Sequence, residues 1–89
     1  MVPLDGRGPV YQQIYRGLRG MVLDGAFASG GRLPATRVLA GDLGVSRNIV
    51  LLAYRQLVHE GYAGGRIGSG TYVAPALPDA MLAGIIAKP

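Results

Sequence analysis

Arginine dominates the chemistry open to this 89-residue chain: eight of its nine basic residues are arginine, set against five acidic ones for a net charge of +4. A guanidinium presents a planar fork of donors that fits a phosphate or the edge of a guanine, so a basic chain of this kind points to a polyanionic partner. Residues 1–31, 32–73 and 74–89 carry net charges of +1, +3 and 0, so the excess lies in the middle. There Arg37, Arg47, Arg55 and Arg66 recur, and Ser46-Arg47-Asn48 forms a run of three hydrogen-bonding side chains. Catalysis finds no such support. One histidine, His59, and five scattered carboxylates make neither an acid-base pair nor a metal site, and the glycines form no phosphate loop. The lack of cysteine excludes disulfides and thiolate chemistry.

These side chains need a scaffold, and the length allows one small domain with one core. Nearly half of the residues are apolar and 16% are charged, a composition that folds. No run reaches the ~18 apolar residues of a membrane span, and Met1 to Asp5 lacks the form of a secretory signal, so a cytoplasmic context is expected.

After a loose arm over residues 1–8, Pro9 suits the first position of a helix running to Asp24. Val10, Ile14, Leu18, Met21 and Val22 form its apolar stripe, and Gly25 supplies a left-handed cap. Gly17 and Gly20 weaken this helix and suit a close approach. Ala26 to Pro34 reads as a Gly-rich connection, and a second helix follows over Thr36 to Leu43, closed by Gly44. Ser46 caps a third helix over 46–60, whose Val50, Ala53, Tyr54 and Leu57 share one face until Gly61 stops it. Residues 62–73 then read as a β-hairpin with a glycine-rich tip, and Pro75 and Pro78 mark a linker from 74 onward.

Two short helices joined by a glycine turn, the second capped by serine, make a helix-turn-helix. Ala40, Gly44, Val45, Val50 and Ala53 supply the small and apolar residues of a sharp crossing, with Leu39 and Leu43 beneath. In that motif the start of the second helix enters the major groove, which sets Ser46, Arg47 and Asn48 at base edges or flanking phosphates. Arg55 lies two turns further along the outer face, where a phosphate contact and plain solvation are equally plausible readings. Arg16, Arg19 and Arg32 read as solvent-facing, and the five tyrosines as core or interface. Ile49, Leu51 and Leu52 need cover from the first helix or the hairpin, or else a thymine methyl to touch.

Leu33-Pro34-Ala35-Thr36-Arg37, Leu39-Ala40, Leu43-Gly44-Val45-Ser46-Arg47, Glu60-Gly61-Tyr62 and Gly68-Ser69-Gly70-Thr71-Tyr72-Val73 resemble the winged helix-turn-helix domain of GntR-type bacterial transcription regulators. Pro9-Val10-Tyr11, Gln13-Ile14-Tyr15, Ser46-Arg47-Asn48 and Tyr54-Arg55-Gln56-Leu57 resemble its MocR subfamily in particular. The resemblance implies an α+β, mainly α fold: three helices with a small C-terminal hairpin as the wing, over residues 9–73. It implies sequence-specific binding of double-stranded DNA, with Arg37 on the backbone and Arg66 and Gly68 at a wing tip reaching the minor groove. Many relatives carry arginine where Leu51 stands, so no contact is carried over to that position.

The resemblance further implies a homodimer on two half-sites, and a linker at 74–89 leading to an absent effector domain similar to fold-type I aminotransferases. Pyridoxal phosphate belongs to that domain, and no cofactor is expected in this chain. The apolar run 80–87 suits docking on this domain, on a partner copy or on the absent one. The competing function is a protein-protein docking module whose charge is incidental.

Overall fold

The computed structural model describes residues 2–66 and 70–75; residues 76–89 of the expected 74–89 linker, and Gly68, lie outside the described residues. In chain order it contains α1 (Val10–Leu23), α2 (Thr36–Leu43), α3 (Arg47–His59), β1 (Ala63–Arg66) and β2 (Gly70–Val73). The strands pair antiparallel, Ala63 opposite Val73 and Arg66 opposite Gly70.

Local residue chemistry sets the helix ends. Gly44 takes the left-handed conformation at φ 68°, which closes α2 and lets Val45 donate to the Ala40 carbonyl at 3.0 Å. Ser46 Oγ accepts from the Ile49 amide at 3.3 Å, filling one of the bonds a helix start leaves open. Pro9 departs from expectation by one place: it is the cap of α1, at φ −59° and ψ 146°, and its carbonyl accepts from Gln12 and Gln13.

One core joins all the elements. Ile14, Tyr15, Leu18 and Val22 of α1 meet Val50, Ala53, Tyr54 and Leu57 of α3, with Leu39 and Ala40 of α2 alongside. Val10 falls outside the expected stripe and is exposed, because the α1 turn it occupies precedes the packed region. The hairpin contributes Ala63 and Val73, and Tyr62 leads into it.

Two segments read as loose or unstructured are tied down. The end of the 26–34 connection runs beside β2: Arg32 pairs with Tyr72, Leu33 N donates to Thr71 O, and Val73 N donates to Gly31 O, both at 2.8 Å. This third segment makes β2 central and buries Leu33 to 2% exposure. The N-terminal arm lies on α1, with Val2 buried and Asp5 paired with Arg16 at 2.7 Å. The Arg16 guanidinium, helped by the Arg7 amide, holds the Asp5 carboxyl well below the usual carboxylate range. Gly17 is the notch that admits the arm, since a Cβ there would collide with the Pro3 carbonyl oxygen and with Val2 Cγ1. Gly20 faces open space.

Gly17→Ala should therefore release the arm. Alanine adds about 1 kcal/mol of helix propensity, while freeing Val2 forfeits about 1.5 kcal/mol of burial, so the net stability change stays small. Trypsin cleavage after Arg7 should accelerate while the thermal midpoint moves by only a few degrees. Cleavage at the parent rate with a raised midpoint would show that the notch does not hold the arm.

Candidate nucleic-acid interface

The buried stripe of α3 fixes what its other faces present. With Val50, Ala53, Tyr54 and Leu57 turned inward, the 100° advance per residue turns Asn48, Leu52, Arg55 and His59 outward. Arg47, Leu51 and Val58 fall on the flank beside Tyr54. That flank faces α2 and the hairpin: Thr36, Leu51, Tyr54, Arg55, Val58, His59 and Thr71 line one shallow groove.

Arg47 and Asn48 are both exposed on the first turn of α3. Arg47 Nε donates to Thr36 Oγ1 at 3.3 Å, so the start of α2 steadies the stem, and among the described residues its terminal nitrogens make no hydrogen bond. Ser46 spends its oxygen on the cap, and its hydroxyl proton remains for an acceptor. Arg37 is exposed on the first turn of α2, where Ala35 gives no side-chain cap. The structure thus brings Arg37, Ser46, Arg47 and Asn48 to the two neighbouring helix starts, with Arg55 further along α3. Arg66 closes β1 opposite Gly70.

Tyr54 anchors this arrangement. Its hydroxyl donates to the Pro34 carbonyl at 2.6 Å, tying α3 to the chain entering α2. Burial pushes the Tyr54 phenol up to about 12, so it remains a donor at any ordinary pH.

Glu60 caps the far end of α3, thirteen residues and about 20 Å from Arg47 at 1.5 Å per residue. Tyr15 OH and Gln56 Nε2 donate to it, and the Tyr15 hydroxyl chiefly holds its carboxyl below the ordinary value. Burial, then the Glu60 carboxylate, raises the Tyr15 phenol.

Of the three arginines read as solvent-facing, Arg16 and Arg19 are engaged by neighbours and Arg32 is exposed. Arg16 is paired with Asp5, and Arg19 lies over the Tyr15 and Tyr62 rings at 5.7 and 5.9 Å. Arg32 is exposed, yet its guanidinium rests against Gly70 at the base of the hairpin. Of the three awkward apolar residues, Ile49 packs on the core and Leu51 is half-buried in the groove beside Thr71. Leu52 stays 44% exposed. Among the described residues no three potential metal ligands cluster, and no helix is long and apolar enough to cross a membrane.

Residues 10–73 match the family described as bacterial regulatory proteins, gntR family. The chain is 48% identical over 79 residues to the probable rhizopine catabolism regulatory protein MocR of Rhizobium meliloti, covering 89% of this chain and 16% of that protein. YtrA from Sulfolobus acidocaldarius, a GntR-family transcription factor, superposes with a TM-score of 0.77 at 31% identity, over 98% of this chain and 92% of that one. AraR(DBD) in complex with operator ORE1 superposes with a TM-score of 0.74 at 28% identity, over 83% of this chain and 93% of that one.

Tyr54→Phe removes the hydroxyl that donates to the Pro34 carbonyl. The loss should cost about 1 kcal/mol, or roughly 4 to 8 °C in thermal midpoint for a domain of this size. A midpoint within a degree of the parent would show that water replaces the phenol without loss.

Proposed function

The chain belongs to the gntR family of bacterial regulatory proteins, and we propose that its arginine-bearing face reads an operator in double-stranded DNA. One observation carries this reading: Arg37, Arg47, Asn48 and Arg55 are all exposed around the two helix starts and the outer side of α3, in a fold shared with an operator-bound relative.

In this reading α3 enters the major groove from its N-terminal end. Arg47 forks onto guanine O6 and N7 or a flanking phosphate, and Asn48 takes an adenine edge. Arg37 binds the backbone, where the start of α2 adds its N–H groups, and Arg55 adds a phosphate contact further along. The hairpin approaches the minor groove through Arg66 and Gly68. Binding, rather than catalysis, is the work of this chain.

The chain spans about a sixth of the length of MocR from Rhizobium meliloti, so the behaviour of a whole protein rests on resemblance. In a MocR-type protein residues 74–89 begin the linker to a pyridoxal phosphate domain, two copies pair on half-sites about 34 Å apart, and the protein acts in the cytoplasm. The described residues do not fit that cofactor, since they contain no lysine to hold it.

Arg47→Ala should cost roughly 1 to 3 kcal/mol on a duplex selected from a random pool and should flatten the preference over unselected DNA. Its thermal midpoint should match the parent, because Arg47 is exposed. Selected-duplex affinity equal to the parent's would remove α3 from the groove.

A further inference from the structure

We propose that Arg32 is a further DNA-contacting residue, one that grips a backbone phosphate at the base of the wing; this rests on the DNA reading above. The backbone at Arg32 is fixed by its pairing with Tyr72 and by the Leu33–Thr71 and Val73–Gly31 hydrogen bonds on either side. Extended chain alternates its faces, so burial of Leu33 turns Arg32 outward.

The side chain is directed as well. A Cβ on Gly70 would lie 2.9 Å from Arg32 Nε and 3.2 Å from Nη2, so the guanidinium occupies the space that glycine leaves open, at a φ of 110°. Arg32 and Thr36 line one depression together with Leu51, Gly70 and Thr71, and Thr36 is the residue that receives Arg47 Nε. Thr36 therefore links the two arginines, lining the recess with Arg32 and accepting from Arg47 Nε. Among the described residues Arg32 has no ion pair, whereas Arg16 spends its charge on Asp5.

The position selects phosphate over base. Base edges are reached by the first turn of α3, while the strands bordering an occupied groove run past the flanks of the inserted helix, where Arg32 stands. A guanidinium already held in place loses less freedom on binding than one on a mobile stem.

The test is fluorescence anisotropy of the parent, Arg32→Ala, Arg32→Gln, Arg32→Lys and Arg47→Ala against a pool-selected and a random-sequence duplex, from about 50 to 200 mM salt. Arg32→Ala should bind both duplexes more weakly by the same factor, with the slope of log K against log salt shallower by about 0.9. Arg32→Gln, which keeps a stem against Gly70 without the charge, should lose the same slope even where Arg32→Ala fails to fold. Arg32→Lys should keep the parent slope. A parent slope in the folded uncharged variants, with Arg47→Ala impaired, would overturn this inference alone and leave Arg32 as a prop for the hairpin. A loss confined to the selected duplex would replace the phosphate contact with a base contact. Failure of the parent to bind either duplex at the lowest salt would overturn the DNA reading and this inference with it.

Discussion

Helix α3 can bury only one of its faces, and the rest of the molecule follows from which face that is. Val50, Ala53 and Leu57 are fully buried against the Ile14 and Leu18 side of α1. Burial of Val50 and of Leu57 contributes about 1.5 to 3 kcal/mol each, far more than a surface contact offers. A turn of α3 by one residue would turn Val50 and Leu57 out and bring Arg47 or Gln56 in, so the apolar stripe fixes the polar face without any polar interaction. Gly44 and the Ser46 cap set where the helix begins along its axis, and hence how far its first turn projects.

The hairpin depends on the same core from the other side. Leu33, Tyr62, Ala63 and Val73 are buried, and their packing places β2 between β1 and the Arg32 rung. Tyr54 joins the two halves, buried on α3 and bonded to the Pro34 carbonyl at the entry to α2. Electrostatics then divides the surface. Glu60 is engaged with Tyr15 and Gln56 at one end of α3, and Asp5 with Arg16 on the arm, while Arg37, Arg47 and Arg55 remain exposed. The exposed guanidinium groups of this face supply the positive charge that attracts a polyanion.

Features governed by neighbouring residues were legible in the sequence. The bounds of α2, the left-handed turn at Gly44, the serine cap and the inward face of α3 all follow from side chains within a few positions of one another. The helix-start grouping of Arg37, Ser46, Arg47 and Asn48 follows from them. Features that join distant segments were not. Arg32 and Tyr72 lie forty positions apart, and a single rung between them leaves no alternating pattern in the Gly-rich stretch before Pro34. Gly17 carried a partial signal, a helix-weakening glycine suited to close approach, but nothing local named residues 2–5 as what approaches. Arg19 looked solvent-facing because Tyr62, one of the two rings it covers, comes from beyond α3.

Amide chemical-shift mapping of the chain during titration with a pool-selected duplex tests most directly whether the two helix starts and the hairpin form one DNA-reading surface. Shifts concentrated at residues 32, 36–37, 46–48, 55 and 70–71, with the α1 amides of Arg16 to Val22 unmoved, are the predicted outcome. Shifts centred on α1 and the Tyr15–Glu60 end of α3, with Arg47 and Asn48 silent, would contradict it and place the binding face on the opposite side of the fold.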